Sequence, residues 1–225
     1  MNVGLIVAAG RGERMGGDVD KAFLSLGPKP VLAYSLVAFQ QCDDIEQVVV
    51  VVRKERVDSA RAMAQMFGCT KVVKVVAGGT KRQASVANGL AVLDEDARVV
   101  AVHDGARPCV TPRIVSDTVQ SALRYGSGVA AVKVTDTVKY VERGLTVTRT
   151  VDRGKLWAVQ TPQAFAVDLL KQAFEEVRSR KATVTDEASA VELLGREVRL
   201  VPAPASNIKV TQADDLLLAA ALLKL

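Results

Sequence analysis

Behind an apolar run near the N-terminus, small residues and cations crowd into one loop: Ala8-Ala9-Gly10-Arg11-Gly12-Glu13-Arg14-Met15-Gly16-Gly17-Asp18-Val19-Asp20-Lys21. A glycine-rich turn that follows a strand exposes backbone N–H groups able to hold phosphate. Three chemistries compete for such a loop. A dinucleotide fingerprint needs G-x-G-x-x-G. Gly10 and Gly12 fit, but Met15 stands in the third glycine position, and Arg53 occupies the place of the ribose-binding acid. A Walker A loop needs a lysine directly after its last glycine, and neither Gly16 nor Gly17 is followed by one. The third is a glycine turn with two following cations, Arg14 and Lys21, closing on a triphosphate. Attack on the α-phosphorus builds negative charge on its equatorial oxygens and on the departing pyrophosphate. Fixed cations stabilise that transition state more than the ground state. Taken alone, Arg14 and Lys21 serve equally well as solvated loop charges.

The elements that must position this loop follow from periodicity. Short β-branched runs at 2–8, 47–52, 72–76, 99–102 and 128–133 read as strands. Amphipathic segments at 31–41, 55–67, 82–93 and 113–125 read as helices, the second closed by Gly68. The alternation predicts an α/β, Rossmann-like, mainly parallel sheet with helices on both faces. Such sheets bind ligands beyond the carboxyl ends of their strands. The loops there are residues 9–21, 78–82 and 104–112. After Lys133 the rhythm breaks. Residues 134–152 are rich in Thr and Val, with Arg143-Gly144 at a turn, and predict a β-hairpin protruding from the main sheet. Two further helices are expected. One runs from near Thr185 to Gly195; the other opens at Thr211, with Asp214 at capping-box spacing.

Composition bounds the rest. The 225 residues suit a single domain spanning 1–225. Hydrophobic residues are 49% but aromatics only 4%, so the core must be built from Val, Ala and Leu. Few aromatics, and a mild net charge of +5 spread along the chain, point to an anionic small molecule and away from nucleic acid. Cys42, Cys69 and Cys109 form no C-x-x-C, which argues against a zinc site or a disulfide framework and for a reducing cytoplasm. No apolar stretch reaches the roughly 18–20 residues of a membrane span, and the N-terminus has no basic leader pattern. His103, the single histidine, reads as a structural group near a strand end. No G-x-S-x-G accompanies it.

The motifs taken together carry a resemblance. Ala8-Ala9-Gly10-x-Gly12-x-Arg14-Met15 with Lys21-Ala22-Phe23 resembles the signature of the sugar-phosphate nucleotidyltransferases. Gly78-Gly79-x-x-Arg82-Gln83-x-Ser85-Val86, His103-Asp104-Gly105-Ala106-Arg107-Pro108, Thr185-Asp186-Glu187-Ala188 and Asn207-Ile208-Lys209-Val210-Thr211 narrow it. In this order and spacing they resemble the 2-C-methyl-D-erythritol 4-phosphate cytidylyltransferases of the non-mevalonate isoprenoid pathway. The resemblance implies transfer of a cytidylyl group from CTP to methylerythritol phosphate with release of pyrophosphate. It also implies magnesium, carried mainly on the CTP phosphates and without a dedicated protein site. A phosphate monoester is already an anionic nucleophile, so such chemistry needs positioning and charge neutralisation rather than a general base.

Residue roles come with the resemblance. Arg14 and Lys21 match the pair that stabilises the transition state. Ala8, Ala9 and Gly10 match positions whose backbone approaches the nucleotide, and Gly79 and Ser85 match positions beside the cytosine. Asp104 is implied at the ribose or the substrate hydroxyls. Arg107, Thr185 and Lys209 match residues that hold or position the methylerythritol phosphate. Thr137 and Arg153 lie on the arm, residues 134–156, which in the family crosses to a second subunit. A homodimer with shared active sites is therefore implied. Thr80 departs from the family, where an acid is frequent. Two alternatives stand beside this reading. A ribitol-5-phosphate cytidylyltransferase would share the first loop, though Ala106 disfavours it. A non-catalytic nucleotide-binding module would be expected to lose the cations Arg14, Lys21, Arg153 and Lys209, all of which are present.

Overall fold

In the computed structural model, residues 1–10 and 20–225 are described. Arg14 and its neighbours at 11–19 lie outside the described residues. In chain order the elements are β1 (Asn2–Ala8), the ribbon strands β2 (Ser25–Leu26) and β3 (Lys29–Pro30), α1 (Val31–Gln40), β4 (Gln47–Val52), α2 (Val57–Met66), β5 (Val72–Ala77), α3 (Arg82–Leu90) and β6 (Val99–Asp104). Then come α4 (Pro112–Tyr125), β7 (Ser127–Lys133), β8 (Val138–Val141), β9 (Val147–Val151), β10 (Trp157–Ala166), α5 (Val167–Ser179), α6 (Glu187–Glu192), β11 (Leu200–Pro202) and α7 (Ala213–Leu223).

Seven strands form the main sheet in the order β11-β7-β10-β6-β1-β4-β5. β1 lies between β4 and β6, parallel to both, and β5 adds in parallel beyond β4. Continuous apolar strands belong in a sheet covered on both faces. Successive side chains alternate between those faces. Ile6, Val48, Val50 and Val52 pack with Leu32, Leu36 and Phe39 of α1 and with α4. Val3, Leu5, Val49 and Val51 pack on the other face with Val86 and Leu90 of α3 and Leu170 of α5. α4 opens on Thr111, whose hydroxyl accepts from the Ile114 N–H, with Pro112 in the first turn, and closes at Gly126 with φ of 84°.

The expected α/β architecture is thus present, mainly parallel and flanked by helices. Several boundaries differ. The helix expected over 55–67 is preceded by a 3-10 turn, Lys54–Arg56, and the one expected over 82–93 ends at Leu90. Neither β10 nor α5 is among the elements that periodicity predicts. β10 is antiparallel to both of its neighbours and lies deep in the sheet. Its sequence, WAVQTPQAFA, buries Gln160, Thr161 and Gln163 and has a proline in the middle, which argues against a central strand. The fold accommodates this by a register shift between Val159 and Gln163. The last helix is capped by Gln212 with Asp215, one residue later than the Thr211 and Asp214 expectation. Thr211 remains outside the helix, its N–H and hydroxyl both donating to Asp215.

The hairpin β8–β9 forms its own two-stranded sheet outside the main one, as expected. It leaves Tyr140, Val147 and Leu145 exposed, the last at 99%. No helix among the described residues is long and apolar enough to cross a membrane.

Candidate active site

At the carboxyl ends of β1, β5 and β6 the chain leaves a cleft of about 770 Å³. Ala8, Ala9 and Gly10 line one wall, with Lys21 beside them. Gly79 and Ser85 line the second, and Asp104 and Lys209 the third. The glycine pair explains how two loops come so close. A Cβ on Gly78 would stand 2.4 Å from Ala9 Cβ, and one on Gly79 would stand 2.5 Å from Ala84 Cβ. Both are closer than real Cβ contacts, so glycine at 78 lets the β1 and β5 loops meet and glycine at 79 lets the turn fold onto the start of α3. Ser85 locks the turn: its hydroxyl accepts from the Gly79 N–H at 3.1 Å and donates to the Lys81 carbonyl at 3.2 Å.

Four charged side chains from distant parts of the chain meet at the third wall. Asp104, at the end of β6, accepts from Arg82 Nε at 2.9 Å on one oxygen and from Lys209 Nζ at 2.6 Å on the other. Arg82, in the first turn of α3, also presents both terminal nitrogens to Glu187, at 2.7 and 3.0 Å. Burial alone would raise the Asp104 pKa. Arg82 and Lys209 outweigh it and hold the carboxyl well below the usual range, so it stays ionised. Burial likewise opposes charge on Arg82, and its two carboxylate partners more than restore it.

Behind Asp104 a neutral network fixes the backbone. The Asp104 N–H donates to Thr161 Oγ1 at 3.0 Å, and that hydroxyl lies 3.1 Å from His103 Nδ1. The Arg107 carbonyl beside Nε2 can only accept, so the network assigns the ring proton to Nε2 and leaves Nδ1 to accept from the Thr161 hydroxyl. Nε2 lies 3.3 Å from the Arg107 carbonyl, which it reaches as donor. Burial pushes the His103 pKa down to about 3, the neutral form this network requires.

Lys21 reaches across to the C-terminal segment, its ammonium donating to the Thr211 carbonyl at 2.6 Å. Just before it, Asp20 is buried and accepts from Arg53 and Arg56, both at 3.1 Å. The arginine that occupies the ribose-acid position is therefore bound to the root of the first loop.

Of the sequence candidates, Ala8, Ala9, Gly10, Lys21, Gly79, Ser85, Asp104 and Lys209 share the cleft. Four others do not line it. Arg107 turns its guanidinium to the Asn207 carbonyl at 2.8 Å. Thr185 is exposed ahead of α6. Thr137 and Arg153 are exposed at the ends of the hairpin, with Arg153 donating to the Thr135 carbonyl. Arg14 is outside the described residues. The geometry adds Arg82, Glu187 and Thr211 to the site. Arg82 and Glu187 both lie within quoted motifs, but nothing in a linear sequence pairs residues 105 apart.

Among the described residues no group of three or more His, Cys, Asp or Glu side chains could hold a metal. Among the described residues, the carboxylates lining the cleft are Glu55 and Asp104.

A family model described as IspD, 2-C-methyl-D-erythritol 4-phosphate cytidylyltransferase, matches residues 3–225. The chain belongs to this family. A 2-C-methyl-D-erythritol 4-phosphate cytidylyltransferase of Pelotomaculum thermopropionicum is 43% identical over 98% of this chain and 93% of its own length. That of Halalkalibacterium halodurans is 42% identical over 97% of this chain and 95% of its own. Among solved structures, the cytidylyltransferase of Thermus thermophilus superposes with a TM-score of 0.81 at 32% identity, covering 98% of both chains. The 4-diphosphocytidyl-2C-methyl-D-erythritol synthase of Anaerococcus prevotii superposes with a TM-score of 0.87 at 28% identity, covering all of this chain and 98% of the other. Membership makes this chain a nucleotidyltransferase in the cytidylyltransferase family, with the cleft at its strand ends as the candidate active site.

Proposed function

We propose that the protein transfers the cytidylyl group of CTP to 2-C-methyl-D-erythritol 4-phosphate, giving 4-diphosphocytidyl-2-C-methyl-D-erythritol and pyrophosphate, in the non-mevalonate isoprenoid pathway. The observation that carries this reading is one cleft, in a member of this family, that joins the Ala8–Gly10 loop, the Gly78-Gly79 turn, Lys21 and the Asp104–Lys209 pair. An oxygen of the sugar-alcohol phosphate attacks the α-phosphorus of CTP in line. The new P–O bond forms as the bond to the β-phosphate oxygen breaks, and the electron pair leaves on pyrophosphate.

The chain's own residues bind, orient and neutralise. Backbone groups at Ala8–Gly10 hold the triphosphate close, and Arg14 and Lys21 neutralise the charge that grows on it. Gly79 and Ser85 border the cytosine, whose exocyclic amine needs an acceptor that a backbone carbonyl can supply. Lys209 steadies the attacking phosphate, and Asp104 meets the ribose or the substrate hydroxyls. Arg107 and Thr185, which stand outside the cleft in this structure, would complete the sugar-phosphate side by the family resemblance, Arg107 after release from the Asn207 carbonyl. A divalent ion, magnesium, fits this donor set only as one that arrives with its own phosphate and water ligands, because among the described residues the cleft offers only the carboxylates of Glu55 and Asp104, and both oxygens of Asp104 are already held by Arg82 and Lys209. When bound it would neutralise phosphate charge.

The arm suggests a homodimer. Thr137 and Arg153 stand outside their own chain's cleft, and the hairpin presents exposed apolar side chains. In a dimer these residues would complete the partner's site. Three free cysteines suit a reducing cytoplasm.

The test is pyrophosphate release from each of the four nucleoside triphosphates, with methylerythritol phosphate and ribitol 5-phosphate as acceptors. Turnover is expected only with CTP and methylerythritol phosphate. Release with ribitol 5-phosphate alone would move the protein to the pentitol-phosphate class. Binding without release would make it a nucleotide-binding module.

A further inference from the structure

Glu187 has no part in the transfer as outlined, yet it is fully buried and ionically paired. Its place is secured from behind. Gln163 of β10 accepts from the Ala188 N–H at 3.0 Å and donates to Asp186 at 2.9 Å, so the start of α6 is fastened to the sheet. Asp186 in turn caps α6. Packing alone does not call for this carboxylate. A buried ion pair costs desolvation that apolar residues of similar volume avoid, so its presence is weak support for a purely stabilising role.

What the pair does supply is direction. Glu187 takes both terminal nitrogens of Arg82, which leaves Nε for Asp104 alone. A guanidinium has a planar fork that can satisfy these two carboxylates at once, and a lysine ammonium has no such fork. Asp104, pinned on one oxygen, offers the other to Lys209 at 2.6 Å. The quartet runs Glu187, Arg82, Asp104, Lys209 with alternating charge. Arg82 lines the cleft, so an uncompensated guanidinium there would compete for phosphate.

We propose that Glu187 is a positioning residue. Through Arg82 it fixes the Asp104 carboxylate and hence the place of Lys209 beside the attacking phosphate, and it cancels the charge on Arg82 so that the guanidinium does not capture phosphate itself. This rests on the proposed transfer.

Steady-state kinetics of Glu187→Gln and Arg82→Lys test it, with CTP and methylerythritol phosphate varied separately and rates normalised to the folded fraction. The wild type is measured alongside. Its failure to turn over this pair would remove the function, whereas the positioning role is judged only on variant-to-wild-type ratios. Glu187→Gln is expected to lower kcat at least about tenfold and raise KM for the sugar-alcohol phosphate several-fold, with KM for CTP within about twofold. Glu187→Asp, which restores the charge on a shorter stem, is expected to recover part of the loss. Arg82→Lys should show the same split. Its side chain is 28% exposed and lysine keeps a positive charge opposite Glu187, so it gives a second readout if Glu187→Gln folds poorly. The double variant should be no slower than the slower single one, because the two residues act in series. The proposal is overturned if the normalised kcat and both KM values of the variants match wild type, or if the two losses multiply.

Discussion

His103 is the single histidine, so its imidazole gives one unambiguous magnetic resonance signal. Burial sets its folded pKa at about 3, against an ordinary value of 6.5. Between those values the unfolded chain binds a proton that the folded chain refuses. Stability is therefore full above about pH 6.5 and falls as pH drops toward 3, by roughly 1.4 kcal/mol per pH unit in that window. Asp104 acts in the same direction: its folded pKa is depressed, so its contribution is present above the ordinary carboxylate value and is lost on further acidification. Nitrogen shifts of the ring should show the neutral Nε2–H tautomer at pH 5, and denaturation midpoints should fall from about pH 7 to about pH 4.5. A ring that titrates near 6.5 would contradict the buried network. Lys21 makes a second residue-scale test. If it stabilises developing charge, Lys21→Ala should reduce kcat by about 10²–10³-fold with an unchanged circular dichroism spectrum. Normal turnover would remove it from the mechanism.

At the scale of elements, the site depends on how closely the β1 and β5 loops approach. Gly78→Ala places a Cβ 2.4 Å from Ala9 Cβ and 2.7 Å from Ser85 Oγ. The loops must part, at a cost of about 1–3 kcal/mol in unfolding free energy. KM for CTP should rise by about tenfold, with a smaller effect on the sugar-alcohol phosphate. An unchanged KM for CTP would mean that this turn does not border the nucleotide. The elements differ in how legible they are. β1 and β4 announce themselves because both faces are covered and nearly every residue is apolar. β10 hides because its buried side chains do polar work: Gln163 holds α6, and Thr161 holds Asp104 and His103. A strand that is buried for its hydrogen bonds carries no hydrophobic period.

For the molecule as a whole, the open question is how many chains make one site. With the arm completing a partner's cleft, replacing residues 138–151 by a short turn should give a monomer in sedimentation with little activity. A sharper experiment mixes Lys21→Ala and Arg153→Ala protein after denaturation and refolding. Each is expected to be nearly inactive alone. Half of the random dimers would be mixed, and each would carry one intact site, so about a quarter of the wild-type rate should return. No recovery would place Arg153 in its own chain's site or in none.

The sequence by itself determined the parallel α/β frame, the family, and the loops that carry small residues and cations. Those signals are local: a strand's hydrophobic run, a glycine turn, a cation a few residues on. Only the tertiary structure decided which charges neutralise one another. The Glu187–Arg82–Asp104–Lys209 quartet joins residues up to 127 positions apart, with residues 82 and 209 at its extremes. Its partners are chosen by burial, which makes an unpaired charge too costly to tolerate, and no spacing rule within a chain encodes that choice. The same holds for His103, read from the sequence as a structural group near a strand end, but held in place by the Arg107 carbonyl on one ring nitrogen and a hydroxyl 58 residues away on the other.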